Sequence, residues 1–233
     1  MSSIGVMQPY FFPYIGYYQL VNAVDTMVFY DDVQFIKRGW INRNKILINN
    51  SANYITVPCK SASQNKLINE IDHNLEKKVE TKLLRKIELA YTKATYFDRV
   101  FPIIEDVFRN KGEKISDISI QSIVSIFKYL GIEKSFKVSS KSYDNESLER
   151  ADRLIDITKS ENAPTYINSI GGQELYSKEY FKEKGIELKF LLPDSIKYEQ
   201  YDSDFVPNLS MIDIIMFNAP EKVRDFLNQY QLV

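Results

Sequence analysis

Cysteine is nearly missing from this 233-residue chain: Cys59 stands alone, so no internal disulfide can form. Histidine is as scarce. An enzyme relying on a histidine base must use His73 or do without, and no His/Cys pair offers metal-ligand spacing. Neither a cofactor nor a metal is predicted, a Mg²⁺ site on Asp31 or Asp32 being the one arrangement left open. No apolar run approaches the roughly 18 residues that span a bilayer. The N-terminus also lacks a basic stretch followed by an apolar one. Membrane insertion is therefore not expected, and the cytoplasm is the expected location. An excess of one charge is missing too: 30 Lys and Arg face 31 Asp and Glu, for a net charge of -1. That balance gives no global field for nucleic acid, which is not expected as a partner, although a local basic patch remains. Glycine totals only 8, and there is no linker, repeat or low-complexity tract. One domain over residues 1–233 is the expectation.

What abounds is aromatic: 16 tyrosines and 14 phenylalanines, side chains that fill cores and also line sugar or base sites. Ile4 to Met7 is an apolar run stopped by Gln8-Pro9, and reads as a buried strand. The aromatic loop Tyr10-Phe11-Phe12-Pro13 leads to a helical stripe of Ile15, Tyr18, Leu20, Val21 and Val24, then to an apolar strand from Thr26 to Tyr30. Strand, helix, strand at this spacing is a parallel βαβ unit. Lys45 to Ile48 and Tyr54 to Val57 read as strands around the turn Asn49-Asn50-Ser51. Three helices follow at about 76–91, 96–110 and 116–131, the last with Ser116 or Asp117 as cap and Gly131 as stop. Beyond them come a strand from Ser135 to Val138, a helix from Ser147 to Ser160 and a short strand Tyr166-Ile167. Gly171-Gly172 precedes a helix to Lys184, which leads to a strand from Ile186 to Leu192 and helices from Met211 and Pro220. This alternation predicts an α/β fold, a mainly parallel Rossmann-like sheet with flanking helices and a helical segment at 76–131. Such sheets bind ligands at the carboxyl ends of their strands. Gln8-Pro9, Asp31-Asp32 and Asn168 to Gly172 each follow a predicted strand, and would converge on one crevice if those strands are neighbours.

Asp31 and Asp32 point to opposite faces if the strand stays extended. One then faces the crevice as a base or sugar-hydroxyl acceptor, while the other pairs with Lys37 or Arg43; a solvated turn with a salt bridge is the plainer alternative. Lys37-Arg38-Gly39-Trp40-Ile41-Asn42-Arg43-Asn44-Lys45 concentrates four cations around one aromatic ring. Arg43 could clamp a phosphate, Asn42 and Asn44 could bond hydroxyls, and Trp40 could stack on a ring, or the segment is an ordinary basic loop. Cys59 would be an acyl-accepting nucleophile only with a depressed pKa, for which Lys60 or His73 could serve, and otherwise a small buried hydrophobe. Gly171-Gly172 would bring backbone N–H groups toward an anion, or be a plain turn.

The segment Met7-Gln8-Pro9-Tyr10-Phe11-Phe12-Pro13-Tyr14-Ile15-Gly16-Tyr17 resembles the opening signature of the WbqC-like family. So do Tyr30-Asp31-Asp32-Val33-Gln34-Phe35 and Gly39-Trp40-Ile41-Asn42-Arg43-Asn44, with fainter echoes at Tyr166-Ile167-Asn168, Gly171-Gly172 and Asn208-Leu209-Ser210. The resemblance implies a place in bacterial surface-polysaccharide synthesis, notably lipopolysaccharide O-antigens. It further implies a transferase that modifies a nucleotide-activated amino sugar by N-acyl or N-aminoacyl transfer. A nucleotide-linked sugar would be the partner, held by Gln8, Tyr10, Tyr14, Tyr17, the basic loop, Asn168, Gly171 and Gly172. No nucleotide-triphosphate motif is visible, so the donor would arrive on an acyl- or aminoacyl-carrier protein. Two other readings stand beside this one. A non-catalytic sugar-nucleotide or carrier-protein binding subunit fits the lack of a recognisable triad. A nucleotidylyltransferase-like enzyme fits the outline of Ile4 to Leu20, but tyrosines at 14, 17 and 18 stand where such enzymes hold phosphate with histidines.

Overall fold

A computed structural model describes residues 2–201 and 204–233. Six strands form one sheet: β1 (Ser3–Met7), β2 (Thr26–Phe29), β5 (Ser135–Lys137), β6 (Thr165–Ser169), β7 (Glu187–Pro193) and β8 (Tyr230–Leu232). Their order is β5-β2-β1-β6-β7-β8, with every pair parallel except β7–β8. The α/β class expected from the alternating pattern is the one found. β2, β1 and β6 are neighbours, so the loops that follow them leave from adjacent positions on one edge.

The buried strands alternate between two helical layers, as a two-residue period demands. Ile4, Val6 and Val28 pack with Leu154 and Ile157 of α5 (Arg150–Ser160) and Phe181 of α6 (Lys178–Glu183). On the opposite face Met27 and Phe29 join Tyr18 and Val21 of α1 (Ile15–Ala23), Phe127 of α4 (Ile115–Tyr129) and Phe226 of α8 (Pro220–Leu227). Right-handed crossovers require this: the chain runs from β1 outward to β2 and β5 over one face, then returns to β6 and β7 over the other. The direction reverses between β1 and β6, where an open α/β sheet leaves a crevice at its carboxyl edge.

Between β2 and β5 the chain inserts a hairpin, β3 (Arg43–Ile48) and β4 (Ser51–Thr56), and the helices α2 (Lys77–Tyr91), α3 (Phe97–Arg109) and α4. The hairpin turn is tighter than the three residues anticipated. Ile48 pairs with Ser51, and Asn49 and Asn50 both hold positive φ, 49° and 58°, which a two-residue turn matched to strand twist needs and asparagine tolerates. The start of α4 is also a correction. Lys114 is the N-cap, and Asp117, on the first turn, reaches back to accept from the N–H groups of Glu113 and Lys114 at 3.0 and 2.9 Å. The helix predicted from Ser147 begins at Arg150, and β8, an antiparallel edge strand, was not anticipated.

Tyr198 and Gln200, which follow β7, are tied to a buried acid on α7 (Met211–Phe217). Asp213 accepts from Tyr91 Oη at 2.7 Å, Tyr198 Oη at 2.6 Å and Gln200 Nε2 at 2.7 Å. Burial raises its pKa, and the three donors oppose that rise. Replacing Asp213 by alanine removes the acceptor of the buried Tyr91 hydroxyl and the half-buried Tyr198 hydroxyl, while Gln200 Nε2 keeps Val206 O at 3.1 Å, and is expected to cost about 3 kcal/mol; chemical denaturation measures it, and a loss below about 0.5 kcal/mol would remove Asp213 from this role.

Candidate functional site

The carboxyl edge is built by three loops. After β1, the aromatic loop is clamped from several sides. Phe11 N–H donates to Trp40 O at 3.0 Å, Phe12 N–H to Ser122 Oγ at 2.8 Å, and Ser210 Oγ donates to Phe12 O at 2.7 Å. Asn44 Nδ2 donates to the carbonyls of Phe11 and Phe12 at 3.2 and 2.8 Å. Phe12 holds φ 39°, a left-handed backbone that a bulky residue adopts only where its surroundings over-determine it. Tyr14 lies across Gly16, where a Cβ would come within 2.5 Å of the ring, so glycine is required for that pose.

This clamping shapes a pocket of about 290 Å³ lined by Tyr10, Pro13, Tyr14, Trp40, Asn44, Lys45 and Asn208. Tyr14 and Trp40 are each 40% exposed, and Trp40 lies 6.4 Å from Tyr54. Lys45 Nζ stands 5.9 Å from the Trp40 ring and 5.4 Å from Tyr54.

The anticipated anion clamp takes a different form. Arg43 is spent on structure: it donates to the carbonyls of Gly39, at 3.1 Å, and Arg38, and stacks 4.4 Å over Tyr54. Asn42 donates to Val57 O at 2.8 Å. Lys37 is exposed and Lys45 half-buried; neither enters an ion pair among the described residues. Lys45 is thus the cation at the pocket. Tyr17 is buried, with its hydroxyl donating to Gln8 O at 3.0 Å, and so supports the loop from behind.

After β2 the two acids part company. Asp31 Oδ1 accepts from Ser139 Oγ at 2.7 Å and Ser140 N–H at 3.2 Å, both following β5. The side chain is buried, and its Oδ2 accepts no hydrogen bond from another of the described residues. Burial raises the Asp31 pKa above the usual aspartate value, with the Ser139 and Ser140 hydrogen bonds opposing. Asp32 does not pair with Lys37 or Arg43. It is buried against the Arg153 guanidinium and Ser140 Oγ. Arg153 is fixed in turn by Asn145 Oδ1 at 2.9 Å and by the Tyr30 ring 4.8 Å away.

After β6, Asn168 is buried, its Oδ1 accepting Ser169 N–H at 2.8 Å. Gly171-Gly172 lies in a separate helical turn, Ile170–Gly172, while α6 begins only at Lys178. A Cβ on Gly172 would sit 2.4 Å from Asn168 Nδ2, so this glycine serves close packing, whereas Gly171 faces open space.

Cys59 and His73 are brought opposite each other as a β-bridge pair. The histidine ring is nevertheless fully engaged: Nε2 bonds Gly112 O at 2.9 Å and Nδ1 accepts Leu75 N–H at 3.2 Å. Burial pushes the Cys59 thiol up to about 11, the opposite of what a nucleophile needs. The expected activation of Cys59 by His73 is therefore not formed. Cys59→Ala is expected to leave turnover unchanged, as a steady-state assay will show; loss of activity in a folded variant would reinstate the thiol. No group of three or more His, Cys, Asp or Glu side chains is placed to hold a metal among the described residues. Among the described residues no helix is long and apolar enough to cross a membrane.

Ser139, Ser140 and Arg153 escaped the sequence reading. Their signals were a Ser-Ser pair just past a predicted strand, and an arginine one turn before Ile157 on the apolar stripe of α5.

Fold and site together define a doubly wound α/β protein with its polar and aromatic groups gathered at the carboxyl edge. The chain belongs to the WbqC-like protein family, whose model matches residues 8–225. It is similar to Uncharacterized protein Rv1507c of Mycobacterium tuberculosis (strain ATCC 25618 / H37Rv), at 24% identity over 240 residues, covering 97% of this chain and 98% of the relative. No solved structure matches it with significance.

Proposed function

We propose that the chain is a transferase that forms an amide on the amine of a nucleotide-activated amino sugar, with Asp31 as the base. The observation that carries this reading is the environment of Asp31. It is a buried carboxylate at the end of β2, one strand from the reversal of the sheet, with one oxygen fixed by Ser139 and Ser140, the other bonded by no other described residue, and a basicity raised by burial. A base nearer in pKa to the amine it serves takes a proton more effectively than an ordinary aspartate. The amine nitrogen attacks the carbonyl carbon of an acyl or aminoacyl thioester; the C–N bond forms, the C–S bond breaks, Asp31 receives the nitrogen's proton, and the thiolate leaves and is protonated. The inert Cys59 favours direct attack over a covalent acyl-enzyme. The setting in O-antigen or other surface-polysaccharide synthesis follows from the family resemblance.

A second reading, a non-catalytic binding subunit, is favoured by one observation: Asp32, the other acid of the pair, is committed to Arg153 and unavailable for chemistry. A thermal-shift screen tests the shared premise. A nucleotide-linked amino sugar at 100 to 1,000 times its Kd is expected to stabilise the fold by about 3–4 kcal/mol. Stabilisation by ATP or CTP alone, with pyrophosphate release, would sink both readings in favour of nucleotidylyl transfer.

A further inference from the structure

We propose that the aromatic pocket holds the base of a nucleoside diphosphate, stacked on Trp40, with Lys45 meeting the phosphates. The proposal rests on the nucleotide-sugar reading above and adds where the nucleotide sits. At about 290 Å³ the pocket has room for one ring system rather than a whole nucleotide sugar. Tyr10, Tyr14 and Trp40 bring three aromatic rings to its lining, and stacking of a base on an aromatic ring tolerates any base. The polar lining suits an anion better than a neutral sugar. No carboxylate lines the pocket, the Asn44 amide is spent on the Phe11 and Phe12 carbonyls, and Lys45 enters no ion pair among the described residues.

The walls are set before any ligand arrives. Phe12 and Asn208 hold φ 39° and 56°, and Ser210 N–H donates to Lys45 O at 2.8 Å, tying Asn208 and the Lys45 strand into one rim. Such preorganisation lowers the cost of ordering a ligand. Beyond Tyr14 and Asn208, which line both spaces, lies a groove of about 720 Å³ that runs past Pro193 at the carboxyl end of β7.

Trp40 is the sole tryptophan, so its fluorescence reports the pocket directly. The intact chain is titrated with UDP, dTDP, CDP and GDP, with the matching nucleosides, and with glucosamine. At least one diphosphate is expected to quench Trp40 saturably, its nucleoside more weakly, and glucosamine not at all. Lys45→Gln is expected to weaken the diphosphate about tenfold and leave the nucleoside unchanged, which also shows that the pocket is still formed. Absence of quenching by every diphosphate, or a diphosphate affinity indifferent to Lys45→Gln, would overturn the proposal. Thermal stabilisation by a nucleotide-linked amino sugar without Trp40 quenching would overturn this placement and spare the proposed function. Quenching without any amide product would do the reverse.

Discussion

Arg153→Ala is expected to destabilise the fold by about 3–5 kcal/mol, because it leaves the Asp32 carboxylate buried without its cation. The side chains of the pair are 5% and 1% exposed, so water can replace little of what is lost. The same substitution removes the donor to Asn145 Oδ1 and the stack on Tyr30. For a chain of this size the melting temperature should fall by roughly 6–20 °C. The cost arises from an uncompensated charge more than from the worth of the pair. Arg153→Met combined with Asp32→Leu should therefore recover much of the loss. Thermal denaturation of the two variants checks this. A single variant that melts like the wild type would show that the pair does not fix the turn that carries Asp31.

Asp31→Asn should separate stability from turnover. An amide in place of the carboxylate can still accept from Ser139 Oγ, but it cannot take a proton, and turnover should fall about 10²- to 10⁴-fold. The stability change runs the other way. Burial raises the folded-state pKa of Asp31, so its contribution to stability is fully present below the unfolded value and is lost as the pH rises through the folded value. At neutral pH the ionised acid costs stability, and Asn should melt at or above the wild-type temperature. The same raised pKa should place the acid limb of the rate profile above the pH at which an ordinary aspartate titrates. A folded Asp31→Asn protein with wild-type turnover would remove Asp31 from the chemistry. Loss of both activity and stability would make it a structural residue.

The sheet was legible because its signals are local. Runs such as Ile4 to Met7 and Thr26 to Tyr30 are apolar, short and closed by Gln8-Pro9 and Asp31-Asp32, and the neighbours they form in space follow from the βαβ rule. The weaker strand β8 escaped because Tyr230–Leu232 is half-exposed and pairs at an edge, where no buried face imposes alternation. Side-chain company was far less legible. Arg43, Asn42 and Asn44 have the chemistry of ligand-binding groups, yet their partners are backbone carbonyls 4 to 33 residues away. Asp32 finds its cation 121 residues later, on a helix whose amphipathic pattern alone does not mark Arg153 as a partner. A Cys59–His73 pair was conceivable from the sequence, and a β-bridge sets the two opposite each other, but the engagement of the ring by Gly112 and Leu75 is a tertiary fact.

The central claim is amide formation on a nucleotide-activated amino sugar at the carboxyl edge. Mass spectrometry tests it most directly, with wild-type protein, nucleotide-linked amino sugars, their hydroxyl counterparts, and acyl or aminoacyl thioesters as donors. The account predicts an N-acylated product from an amino sugar, none from its hydroxyl counterpart, and loss of that product with Asp31→Asn. A nucleotidyl product with pyrophosphate, or tight binding of the amino sugar with no product from any donor, would contradict it.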